Sequence, residues 1–133
     1  YLTIESRKSP PLELREKIGD WFFGCDLCQT TCPWNQKVFQ HKLEISQVRQ
    51  QTQESKEKMI EEFRFILTSS GKKIEQQFKG TPLKRAGPFG LRRNAIVVIG
   101  NLKLKELKSE VLLFANDEKL SELADWCLKK LET

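Results

Sequence analysis

The clearest periodic signal runs from Met59 to Leu67, where apolar residues at 59, 60, 63, 66 and 67 recur at helical spacing. Ser69, Ser70 and Gly71 break it. Ile74 and Phe78 define a second short helix that Gly80 ends, and Thr81-Pro82 can start a further turn. Gly87-Pro88-Phe89-Gly90 reads as a loop. Three closely spaced helices follow. The first covers Leu91 to Ile99 and ends at Gly100-Asn101. The second carries Leu104, Leu107, Val111, Leu112 and Phe114 on one face. The third, with Asp117 as its candidate cap, carries Leu120, Leu123, Ala124, Cys127, Leu128 and Leu131. One apolar face per helix, with short connections, predicts stacked antiparallel helix hairpins of the HEAT-like kind.

The N-terminal part is patterned differently. Leu2 and Ile4 alternate with Thr3 and Glu5, which predicts an extended segment over residues 1–8. Ser9-Pro10-Pro11 reads as a helix entry with Ser9 as cap. Leu12, Leu14 and Ile18 supply its apolar positions, and Gly19 can close it in a left-handed conformation. Trp21, Phe22 and Phe23 form an aromatic clump just before the cysteines. From Gln36 to Lys58 the chain turns polar, with Val38, Phe39, Leu43, Ile45 and Val48 as its only apolar anchors, so a loop or connector is expected. No long strand alternation and no βαβ pattern occurs. The expected class is all-α, divided into a cysteine-bearing part (1–40), a connector (41–58) and a helical region (59–133).

Composition changes this picture little. The chain has 133 residues, 38% hydrophobic and 31% charged, and no apolar run long enough to span a bilayer, so no membrane partner is expected. It shows no basic-then-apolar leader, so secretion is not indicated. Its opening Tyr-Leu-Thr-Ile-Glu reads as mid-protein sequence, so a piece of a longer chain is expected. Charge is more telling. Between Gly71 and Lys108 there are ten Lys/Arg against two acids, a net of +8, which leaves −3 for the rest of a chain of net +5. A basic middle on a mildly acidic body points to a polyanionic partner.

Four cysteines occur, three of them in Cys25-x2-Cys28-x3-Cys32-Pro33. Such clustering in a chain with no export signal favours metal binding over a disulfide framework. The bacterial ferredoxin run is C-x2-C-x2-C-x3-C-P, whose fourth cysteine serves the other cluster of a pair. Aligned at the Cys-Pro end, Cys25 and Cys28 hold one cluster, with two thiolates from outside this chain, and Cys32 contributes to a second. The remaining local ligand falls at position 22, which is Phe22. The segment thus reads as the remnant of a ferredoxin-like two-cluster region. Trp21, Phe22, Phe23 and Trp34 can shield a cluster from water. A structural zinc site lacks a fourth ligand at tetrahedral spacing, since His41, the only histidine, reads as a solvated loop residue. A thioredoxin-like dithiol lacks its strand-then-helix context. Both stay open behind the iron–sulfur reading. Cys127 reads as a small buried hydrophobe.

The blocks Tyr1-Leu-Thr-Ile-Glu5, Pro11-x-Glu13-Leu14-Arg15 and Gly24-Cys-Asp-x-Cys28-Gln-x-x-Cys32-Pro-Trp-Asn35 resemble epoxyqueuosine reductase. So do Phe78-x-Gly80-Thr81-Pro-Leu-Lys-Arg85 and Leu91-x-Arg93-Asn94-Ala95 to Gly100-Asn101. The resemblance implies a cytoplasmic oxidoreductase of tRNA modification that reduces epoxyqueuosine to queuosine, of which this chain is a C-terminal fragment, inactive alone. It also implies two [4Fe–4S] clusters, a cobalamin bound by an upstream domain, and a cluster cysteine just before the Tyr1 block that accounts for the ligand missing at Phe22. The electron donor is not implied. The family's tail is a HEAT-like region that helps hold the tRNA.

The basic stretch suits that tail, because Lys/Arg contacts to closely spaced phosphates give salt-dependent affinity. Lys84, Arg85, Arg92 and Arg93 flank residues 87–90 and are the expected tRNA contacts. Lys72, Lys73, Lys103, Lys105 and Lys108 read equally well as solvated charges. Asn94 and Asn101 read as caps or inter-helix hydrogen-bonders. The alternative function is an iron–sulfur electron-transfer module joined to a helical protein-docking scaffold, with no nucleic acid.

Overall fold

The computed structural model describes residues 1–25, 27–35 and 53–133. Its helices are α1 (Leu12–Ile18), α2 (Leu27–Thr30), α3 (Gln53–Thr68), α4 (Gly71–Gln77), α5 (Gly87–Leu102), α6 (Lys108–Leu112) and α7 (Ser121–Glu132). Short 3₁₀ turns at Pro82–Arg85 and Lys105–Leu107 join them. Among the described residues there is no strand, and no helix is long and apolar enough to cross a membrane. The expected all-α class holds. The chain forms two compact units, Tyr1–Gly24 with Ile60–Thr133, and Cys25–Met59. The first 24 residues thus pack with the helical body, a different cut from the expected one at residues 40 and 58. His41 and the apolar anchors Val38 to Val48 lie outside the described residues.

The larger unit is organised around α5. Leu91 and Ala95 to Ile99 are all buried, so this helix is apolar on every side, the pattern of a helix with neighbours all round. α1, α4 and α7 pack on it, and α6 packs on α7. Ile60, Phe63, Ile66 and Leu67 of α3, Ile74 of α4, and Leu123, Cys127 and Leu131 of α7 complete the core. Cys127 is fully buried, and burial pushes its thiol up to about 12, so it behaves as the expected small hydrophobe. Leu104, Leu107, Val111 and Phe114 share the core, whereas Leu112 is exposed.

Several element boundaries differ from the periodic reading. α3 begins at Gln53 because helical backbone extends beyond the apolar repeat. Residues 87–90 are the first turn of α5, with Pro88 in the early position where a missing N–H costs nothing, rather than a loop. α5 also continues through Gly100 to Leu102 and is closed by Lys103 in the left-handed conformation at φ 51°. Gly100 is there for packing: a Cβ on it would meet Trp126 Cζ3 of α7 at 2.6 Å. Residues 1–8 are not extended. They coil into a turn in which the N–H groups of Ile4, Glu5 and Ser6 all donate to the Tyr1 carbonyl. Ser9 does not cap α1, whose N-cap is Pro11; its hydroxyl reaches the Lys119 carbonyl at 3.5 Å. Gly19 does follow α1 with positive φ, 60°, but at ψ −130°. Asp117 accepts from the N–H groups of Lys119 and Leu120 at 2.9 and 3.0 Å and so closes the turn before α7, but it does not cap that helix, whose N-cap is Leu120.

Candidate functional site

The cysteine run lies in the smaller unit. Cys25 and Cys28 are exposed and Cys32 half-buried, and none is in a disulfide. Cys28 sits on the single turn α2, which Thr31 extends by donating from its N–H and its hydroxyl to the Leu27 carbonyl at 3.0 and 2.8 Å. The chain then doubles back. Asn35 N–H donates to the Cys32 carbonyl at 3.0 Å, and its amide donates to the Gln29 carbonyl and Oε1 at 3.3 and 2.9 Å. Asn35 thereby closes a tight loop over Cys32-Pro33-Trp34. Soft thiolates are the donors an iron–sulfur cluster takes, so these residues fit the group in kind. Among the described residues no three His, Cys, Asp or Glu converge on one metal position. Of the aromatic residues, Phe22 packs against Phe63 with ring centroids 5.2 Å apart and planes tilted by 45°, and Trp34 is 91% exposed.

Gly24, the last residue of the larger unit, launches this run. Its φ of 74° is one that side chains resist. Its N–H donates to the Thr3 hydroxyl at 3.0 Å, and Thr3 is itself buried. The Thr3 carbonyl accepts from the Asn94 amide at 2.6 Å. Asn94 Oδ1 in turn accepts from Arg93 at 3.0 and 2.9 Å. Arg93 also donates to the carbonyls of Ser6 and of Lys8, the latter at 3.2 Å. Among the described residues no carboxylate pairs with this buried guanidinium, which is tolerable because its donors are so completely used. Burial, and secondarily the nearby charge of Arg7, lower its pKa. Arg93 and Asn94 therefore pin the N-terminal turn to α5.

The four expected tRNA contacts are split by the fold. Lys84 and Arg85 are exposed on the 3₁₀ turn Pro82–Arg85. Arg93 is 1% exposed and faces no solvent, because the turn of residues 1–8 covers it with carbonyl acceptors. Arg92 is half-buried; it donates to the Ile66 and Ser69 carbonyls at 3.4 and 2.6 Å, satisfying the C-terminal end of α3, and lies 5.9 Å from the Phe114 ring. Asn101 works alike on α1, donating to the Arg15 and Gly19 carbonyls at 2.8 Å each. Arg15, which periodicity does not single out, is 3% exposed, donates to the Pro10 carbonyl at 3.0 Å and pairs with Glu122 of α7 at 2.8 Å.

Lys84 and Arg85 border a cleft invisible to sequence reading. Ile4, Glu5, Phe23, Thr81 and Pro82 line the rest of it, with a volume of about 560 Å³. Arg85 Nε pairs with Glu5 at 2.7 Å across its rim. The lining comes from three separate stretches of chain, so no local pattern could reveal it.

The 4Fe-4S double cluster binding domain family matches residues 1–35. The epoxyqueuosine reductase of Francisella cf. novicida (strain Fx1) is 32% identical over 98% of this chain and 36% of its own length. That of Pseudomonas aeruginosa is 36% identical over 76% of this chain and 26% of its own length. That of Vibrio cholerae serotype O1 is 30% identical over 98% of this chain and 34% of its own length. No solved structure matches the chain significantly. These relatives are oxidoreductases by name, and the chain spans about a third of their length or less. By sequence along nearly its whole length, and by the double-cluster match at its start, the chain is a relative of the epoxyqueuosine reductases.

Proposed function

We propose that this chain is the cluster-bearing and helical part of an iron–sulfur reductase acting on epoxyqueuosine in tRNA. The observation that carries the reading is the double-cluster match ending at Asn35, on a loop whose three cysteines are free of disulfides. Cys25 and Cys28 hold one [4Fe–4S] cluster and Cys32 contributes to a second, with further ligands from outside this chain. Clusters so held supply one-electron transfer. Asn35 shapes the loop that presents the thiolates, and the Thr3–Gly24 hydrogen bond sets where that loop departs. No residue here is assigned to cobalamin, which the reading places in another part of the protein. Ferredoxin-like and HEAT-like architecture for the two parts, and a cytoplasmic location, belong to the same proposal.

The helical region then faces the tRNA. Lys84 and Arg85 are its best-placed phosphate contacts because both are exposed and adjacent. Arg92 and Arg93 serve the frame instead, holding the end of α3 and the N-terminal turn.

Anaerobic preparation of the whole reductase with each cysteine changed to serine tests the cluster reading. Cys25→Ser or Cys28→Ser should remove one cluster's iron and Cys32→Ser should disturb the other. Unchanged iron and sulfide content in the triple variant would sink it. Gel-shift titration against tRNA at rising salt tests the second half. Binding that does not weaken with salt would exclude phosphate contacts, and absence of binding would favour the electron-transfer module that docks proteins.

A further inference from the structure

The structure carries a more specific inference at the cleft of Ile4, Phe23, Pro82, Lys84 and Arg85. We propose that it takes one nucleotide of a single-stranded RNA segment, with the base against its apolar wall and the phosphate on its two cations. The inference rests on the RNA reading above and sharpens it.

The lining supplies the two kinds of surface a nucleotide needs. Ile4, Phe23 and Pro82 make an apolar wall, while Lys84 and Arg85 stand at the edge with exposed charged ends. Aromatic and apolar faces take bases without regard to sequence, and Lys/Arg take the phosphate that follows. The volume, about 560 Å³, lies inside the range of about 300–1,000 Å³ usual for small-ligand sites. Single-stranded RNA is the form whose bases are free to leave the stack and enter such a cleft.

Glu5 decides how Arg85 meets the ligand. Its carboxylate holds Arg85 Nε at 2.7 Å, while the Arg85 side chain stays 70% exposed. An exposed pair of this kind is weak. Arg85 keeps further donors for a phosphate oxygen, and a guanidinium binds phosphate in two-point fashion. Lys84 makes no ion pair among the described residues, so its charge is available in full. Phe23 lies two positions before Cys25. A nucleotide seated here would therefore touch the segment that leads into the cysteine run.

The test uses single-stranded RNA heptamers carrying 2-aminopurine, whose fluorescence falls on stacking, together with anisotropy and the tRNA itself. Binding should quench the probe several-fold. Lys84→Ala and Arg85→Ala should each weaken binding about 5- to 10-fold at low salt and lower the salt slope by about 1. Glu5→Gln should tighten binding, because a competing carboxylate is gone. Phe23→Leu should abolish the quench while changing affinity about threefold or less. The two cation variants are exposed and keep the test decisive even where Phe23→Leu does not fold. A protein that binds tRNA with wild-type affinity in both cation variants overturns the cleft assignment and leaves the RNA reading standing. Absence of RNA binding at any salt overturns both. Equal competition by a poly-glutamate peptide and the heptamer overturns the nucleotide assignment in favour of an acidic protein partner.

Discussion

Two basic pairs lie eight positions apart in this chain and meet opposite fates. Lys84 and Arg85 sit on a 3₁₀ turn, exposed, beside an open cleft. Arg92 and Arg93 sit in the first half of α5 and spend their donors on backbone carbonyls from α3 and the N-terminal turn. Composition makes the pairs equivalent. What separates them is which carbonyls the fold brings near. Where backbone acceptors are gathered, a guanidinium becomes part of the frame; where the fold offers only an exposed carboxylate, as Glu5 does to Arg85, it remains available to a partner.

The largest expected effect breaks that contrast directly. Arg93→Met strands the Ser6 and Lys8 carbonyls and Asn94 Oδ1, and should cost about 2–4 kcal/mol in urea unfolding. Arg85→Ala should change stability by less than about 0.5 kcal/mol. Equal costs would mean that burial does not distinguish the pairs. Next comes Gly100→Ala, whose methyl would meet the Trp126 ring and should cost about 1–3 kcal/mol by overpacking α5 against α7. A thermal midpoint unchanged from wild type would show that the ring moves freely.

Thr3→Val should cost about 1 kcal/mol, and should speed amide hydrogen exchange at Gly24 more than in the α5 core. Uniform acceleration would show that the bond supports the whole body rather than the departure of the cysteine loop. The smallest effect is a pH dependence. Burial raises the Glu110 pKa, but hydrogen bonds from Arg64 at 2.6 Å and from Ser109 outweigh it, so the carboxyl titrates below its ordinary value of 4.5. A group depressed in the folded state contributes stability above its unfolded pKa and loses it as pH falls through its folded value. Stability should therefore drop slightly more steeply below about pH 4.5 in wild type than in Glu110→Gln. Parallel acid limbs would remove Glu110 from the balance.

Much of the fold was legible in advance, and for a definite reason. Apolar spacing at Met59–Leu67, Leu104–Phe114 and Leu120–Leu131 reports which face of a helix leaves water, and that is a local property. The same logic failed at α5. Its Gly87-Pro88 start resembles a turn, and its Gly100 resembles a stop, yet both lie within the helix. Proline is harmless in a first turn, and Gly100 answers a ring from a helix that is far away in sequence. The three-cysteine run was recognisable because residue spacing is also local. The cleft was not, since Ile4, Phe23 and Arg85 meet only in space.

The sequence by itself determined the helical class, the buried faces, the three-cysteine run and the concentration of positive charge between residues 71 and 108. Each follows from the order of side chains over a few turns. Tertiary structure alone decided which basic residues stay available, because a cation is buried only where distant backbone supplies acceptors. For Arg93 those acceptors lie 85 and 87 positions away, on a turn whose alternation looked extended.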